Sequence, residues 1–191
     1  MLGIAHAPWT HSWTLARTRA APRDAPVERD GLVVASSGFL LGEDQPMGLE
    51  ARTLELLARH LIEGVAWPPL DFLVVDLPAG TSAVQHLLAR LVKVDGALVV
   101  VTPQRVAHLD AQKVVRLYQH LRVPVIGGVE NMSYQRCPHC GREIARFERA
   151  DDAHTIWSQG VECLTRFPFG PEEDRRETLA ALAGVVAAKL S

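Results

Sequence analysis

Apolar residues along this chain follow two spacings. Unbroken apolar runs occur at Leu32–Ala35, Phe72–Val75, Gly96–Val101 and Val123–Val129. All four predict strands, and the last three read as buried on both faces, as in a parallel sheet covered by helices. Between them the period changes to that of a helix. Glu50–Glu63 carries Leu54, Leu57, Ala58 and Leu61 on one stripe and ends at Gly64. Ser82–Lys93 carries Val84, Leu87, Leu88, Leu91 and Val92, with Ser82 placed as an N-cap. Residues from about Asp110 to Leu121 turn Ala111, Val114, Val115 and Tyr118 inward. Strand, helix, strand, helix, strand in that order predicts βαβ crossovers and a mostly parallel sheet. Further on, Asp151–Gln159 reads as a short helix stopped by Gly160, and Cys163–Phe167 as an edge strand. Pro171 with Glu172, Glu173 and Asp174 suits the start of a last helix running to about Leu190. Residues 1–30 show no period, and Pro8, Pro22 and Pro26 predict an extended arm. No internal repeat is visible, and residues 1–191 read as a single domain.

A parallel sheet gathers its strand C-termini on one rim, where ligands bind in open α/β folds. Asp76, Thr102, Gln104, Glu130 and Asn131 all map to that rim, with Glu130–Ser133 as a loop after the third strand. Asp76 ends the run Phe72–Val75, and Pro78 and Gly80 then force a turn. A carboxylate at that place either supports Mg²⁺ beside nucleotide phosphates or caps the following helix.

Composition narrows the classes. The 191 residues are 48% hydrophobic and 22% charged, with a formal charge of −2, so neither nucleic acid nor an anionic membrane is expected as the main partner. No apolar run approaches the roughly 20 residues of a membrane-spanning helix, and the N-terminus lacks a secretory layout. Three cysteines, two of them close together, fit the reducing cytoplasm and a metal or redox role better than a disulfide framework.

The close pair lies in Cys137-Pro138-His139-Cys140-Gly141. Two thiolates at this spacing, in a loop tightened by Pro and Gly, form one knuckle of a metal site. Zinc or a cubane iron–sulfur cluster needs four ligands as a rule. The chain has no second CxxC; Cys163 and His139 are the conceivable additions, and otherwise Cys163 is expected in a strand core. A second copy across a two-fold axis would supply four thiolates. A redox CxxC opening a helix, and a simple pair of free thiols, are the other meanings of the motif.

Taken together, these motifs resemble the Mrp/ApbC family of iron–sulfur cluster carriers, relatives of MinD and ParA among the P-loop NTPases. The matching segments are Gly38–Leu41, Leu70–Thr81, Val94–Ala97, Thr102–Gln104, Val123–Val125, Val129–Tyr134 and Cys137–Gly141, in register over about residues 31–147. Phe167–Pro171 looks like the family's late strand-to-loop segment. The resemblance implies a three-layer α/β fold, a mostly parallel sheet with helices on both faces. It implies that Asp76 is the Mg²⁺-supporting and catalytic aspartate. Pro78, Gly80 and Thr81 would lie in the loop that senses the γ-phosphate, and Asn131 would read adenine. Cys137 and Cys140 would be ligands of a 4Fe–4S cluster shared by a homodimer, whose transfer to apo iron–sulfur proteins ATP gates. One departure stands out: no Gly-Lys-Ser/Thr loop exists, and none of the three lysines, Lys93, Lys113 and Lys189, follows a glycine. Pro78-Ala79 and Ser82-Ala83 also depart from the family's pattern. Hence the chain looks like a P-loop fold entered part-way. Alternatives are a non-catalytic subunit docking with a complete P-loop partner, a MinD/ParA-like ATPase with a structural zinc knuckle, or a start upstream of Met1.

Overall fold

The computed structural model describes residues 23–40, 51–170 and 175–191. The first twenty-two residues of the expected arm, and the expected helix start at Pro171–Asp174, lie outside the described residues. The chain divides into two compact units, one of residues 1–78 with 83–91, the other of residues 79–82 with 92–191. Among the described residues no helix is long and apolar enough to cross a membrane.

In the first unit, β1 (Val27–Arg29) and β2 (Leu32–Val34) form an antiparallel hairpin. Its turn places Asp30 and Gly31 at φ 51° and 78°. The end of the expected arm is therefore paired, and the strand expected at Leu32–Ala35 forms as β2 of this hairpin. Helix α1 (Ala51–Arg59) passes into a π-helical turn, His60–Gly64, which closes where Gly64 was expected to stop it. The His60 imidazole meets the buried Asp24 carboxylate at 2.8 Å, and Val65 is wholly buried. Helix α2 (Ala83–Leu91) buries Val84, Gln85 and Leu88, close to the predicted face.

The Phe72–Val75 run is not a strand. No ladder includes it, and its side chains are exposed: Phe72 54%, Leu73 44%, Val74 89%, Val75 39%. The composition favours a strand, but a strand exists only where a neighbour takes its N–H and C=O groups. No strand among the described residues does so here.

The second unit is the α/β body. Strands β3 (Ala97–Val101), β4 (Val125–Arg136) and β6 (Cys163–Pro168) are parallel in the order β3-β4-β6, and β5 (Glu143–Ile144) pairs antiparallel with the far end of β4. Helix α3 (Arg105–His120) covers Val99 and Val101, forming a core with Ala111, Val115, Ile156 and Val161. Gly96 alternates to the opposite face, where Ile126 and Leu190 of α4 (Arg176–Leu190) occupy the space a Cβ would need. Helices thus lie on both faces of a mixed sheet.

Three expectations shift. α3 begins at Arg105, five residues early, because its inward stripe includes a polar residue. His108 is buried, accepts the Ile156 N–H at 3.3 Å and stands edge-on to Trp157. Residues 151–159 form two single 3-10 turns, Asp152–His154 and Trp157–Gln159, closed by Gly160 at φ 84°. Finally, β4 does not end at Val129. Glu130–Ser133 is not a rim loop but strand, kinked where Met132 takes φ 55° and the ladder to β6 shifts register. Pairing with β6 and β5 carries the strand through that polar segment.

Candidate metal centre

β4 delivers the knuckle. Gln135 pairs with Ile144 and Arg136 with Glu143, so Cys137–Arg142 is the loop of a short hairpin. The Cys137 N–H donates to the Arg142 carbonyl and the Gly141 N–H to the Cys137 carbonyl, both at 2.9 Å. Gly141 closes the turn at φ 69°, a left-handed conformation that favours glycine. This turn aims the His139 N–H, then the Cys140 N–H and the Cys140 thiol, at the Cys137 sulfur, which lowers the Cys137 thiol below its usual range. Hydrogen bonds to sulfur stabilise the thiolate, the form that binds metal. Cys137 is partly buried and Cys140 exposed, at the tip of the hairpin. A sheet strand follows, not a helix, so the thioredoxin-like arrangement is absent.

The other two sulfur and nitrogen candidates separate from the pair. Cys163 pairs with Gly128, nine residues before Cys137 on β4. At about 3.3 Å per residue that is roughly 25–30 Å away, too far for a common metal. Cys163 is also exposed rather than in a strand core. Partial burial first, and the Glu130 carboxylate second, raise its thiol. His139 is exposed, and among the described residues no group of three His, Cys, Asp or Glu gathers that could hold a metal.

Behind the knuckle lies a cluster that sequence inspection missed. The Glu130 carboxylate is 1% exposed on β4. It accepts Arg149 Nη2 at 2.9 Å, Arg166 Nε at 3.3 Å and the Ser133 hydroxyl. Ser133 Oγ in turn accepts Arg166 Nε at 2.8 Å. Three segments are joined: β4, β6 and the stretch after β5. The partners lie 19 and 36 residues from Glu130. The sequence marked Glu130 only as a rim residue after the third strand, and no local signal linked it to Arg149 or Arg166.

The expected nucleotide residues are divided between the two units. Asp76 and Pro78 belong to the first unit; Gly80, Thr81 and Asn131 belong to the second. Asp76, Pro78, Gly80 and Thr81 are exposed. The Gln85 amide donates to the Pro78 carbonyl at 3.4 Å, and Gly80 turns at φ 76°. Asn131 Oδ1 accepts the Met132 N–H at 3.0 Å. All three lysines are held by carboxylates, Lys93 by Asp95, Lys113 by Asp110 and Lys189 by Glu162. No Gly-Lys-Ser/Thr loop stands among these residues, so no hydrolytic step is assigned to them.

The pattern of a family described as ParA: NUBPL iron-transfer P-loop NTPase matches residues 9–185, and the chain belongs to that family. It is 36% identical over 159 residues to an iron-sulfur cluster carrier protein of Pseudomonas fragi, covering 81% of this chain and 55% of that protein. A carrier of the same description from Aquifex aeolicus is 38% identical over 151 residues, covering 78% and 42%. An Arabidopsis thaliana protein described as a mitochondrial iron-sulfur protein required for NADH dehydrogenase is 35% identical over 144 residues, covering 75% and 46%. The chain thus spans about half the length of these curated relatives. Among solved structures, a nucleotide-binding protein of Archaeoglobus fulgidus in complex with ADP superposes with a TM-score of 0.62 at 28% identity, over 84% of this chain and 61% of that one.

Proposed function

We propose that the chain carries an iron–sulfur cluster as cargo and hands it to apo-proteins. Cys137 and Cys140 hold half of the cluster, and the same pair from a second copy holds the other half. The observation that carries this is the hairpin itself. It presents two sulfurs at its tip, one with its thiol lowered below the usual range by hydrogen bonds within the turn, and no third ligand beside them among the described residues. A 4Fe–4S cluster accepts four thiolates in such a shared site. Exposure of the tip also suits a cargo that must leave. Asp76, Pro78, Gly80, Thr81 and Asn131 are proposed contacts for ATP and Mg²⁺ only in an assembly that brings in a phosphate loop from beyond the described residues, such as a complete P-loop subunit. The cytoplasm is the proposed location, since its reducing poise keeps the three thiols free.

The test is iron, sulfide and zinc content with native mass, after anaerobic reconstitution of the wild type and Cys137→Ser. One cluster per two chains in a dimer, lost in the variant, is the expected outcome. A metal-free monomer would refute the carrier role. Zinc without iron would instead assign the same thiolates a structural site, which their donor chemistry also suits.

A further inference from the structure

The hairpin that bears the knuckle is charged unlike the rest of the chain. Tyr134–Arg149 holds Arg136, Arg142, Arg146 and Arg149 against Glu143 and Glu148, a net +2 in a chain of −2, so the remainder carries −4. These six charged residues are all exposed. Among the described residues Arg136, Arg142 and Arg146 pair with no carboxylate, while Arg149 gives Nη2 to Glu130 and Nη1 to Ser133 Oγ at 3.4 Å. Arg146 is nevertheless held in place. Its guanidinium lies 4.5 Å over the Phe169 ring, and its Nη1 donates to Gln135 at 2.9 Å. Arg166 stands beside this group, 45% exposed and 5.8 Å over the Tyr134 ring. Its Nε serves Glu130 and Ser133, and its two terminal nitrogens have no partner among the described residues. In the midst of these arginines β5 presents Ile144, 51% exposed.

We propose that this arginine-bearing hairpin is the docking surface for an acidic face of the apo-protein that receives the cluster. This rests on the carrier function proposed above and adds the partner's chemistry to it. Charge complementarity singles out the occupant: the net +2 of the hairpin attracts an acidic protein. Arginines fixed by ring stacking and hydrogen bonds lose little freedom on binding, and their forked donors match carboxylates. Ile144 supplies the apolar anchor that a rim of charges surrounds at protein interfaces. The surface flanks Cys137 and Cys140, so docking there brings the acceptor to the cargo.

The experiment titrates the metal-free full chain with an acidic apo-ferredoxin by calorimetry, at about 0.05 M and about 0.5 M salt. Wild type is expected to bind at low salt and to weaken steeply at high salt. Arg142→Glu with Arg146→Glu is expected to weaken low-salt binding by about tenfold or more, with the gap closing at high salt. Ile144→Ser should weaken binding at both. The milder pair Arg142→Gln with Arg146→Gln keeps the test valid if charge reversal unfolds the hairpin. Absence of wild-type binding, or binding indifferent to these changes, overturns the proposal. Cluster content, measured separately on Arg146→Glu alone and expected to be unchanged, reports on the carrier function independently.

Discussion

The Glu130 cluster allows a quantitative forecast. Glu130→Gln keeps the shape of the side chain but removes the charge facing Arg149 and Arg166. A hydrogen bond to a charged group contributes about 1.5–3 kcal/mol where both partners are buried. Here the carboxylate is buried, but both arginines are 45% exposed and regain water when released, so each bond is discounted. The expected cost of Glu130→Gln is about 2 kcal/mol, or a fall in Tm of about 4–8 °C for a chain of this size. The converse change is harsher. Arg149→Met with Arg166→Met leaves a carboxylate in the sheet interior with only Ser133 to hold it, at a cost of about 3–5 kcal/mol. Adding Glu130→Gln to that double variant should then restore stability, because the unpaired charge is gone. Urea unfolding followed by circular dichroism reads all four proteins. A triple variant no more stable than the double one, or a Glu130→Gln cost below about 0.5 kcal/mol, would show that the cluster does not hold the three segments together.

Two other outcomes follow from packing and protonation. Burial lowers the His108 imidazole below its ordinary value of 6.5, Glu130 opposing and Arg149 adding to the effect. The fold therefore favours neutral His108; its contribution is present above pH 6.5 and is lost as pH falls below that value, by at most about 1.4 kcal/mol per unit. Unfolding free energies from pH 7.5 to 5.5 should fall more steeply for wild type than for His108→Gln. At Gly128 a Cβ would lie 2.6 Å from the Trp157 ring, with Ile156 close behind, so Gly128→Ala should cost about 1–3 kcal/mol in thermal unfolding. An unchanged Tm would mean that the 3-10 turns yield freely.

The chain's own pattern determined the helices and the turn that carries the cysteine pair. Stripes at i, i+3 and i+4 placed α1, α2 and α3 because a helix makes its hydrogen bonds within itself, so local sequence suffices. Cys137-Pro138-His139-Cys140-Gly141 announced a knuckle for the same reason: a tight turn is a local object. Strands were another matter. Phe72–Val75 has a strand's composition but no described neighbour, and stays unpaired and exposed; Glu130–Ser133 has a loop's composition but lies in β4, because β6 and β5 supply the partners. Cys163, a conceivable added ligand otherwise expected in a strand core, is put by its pairing with Gly128 at the other end of the strand from Cys137. Glu130, Arg149 and Arg166 meet only because parallel pairing aligns β6 with β4. Contacts between residues far apart in sequence carry no local signature, and tertiary structure alone decides them.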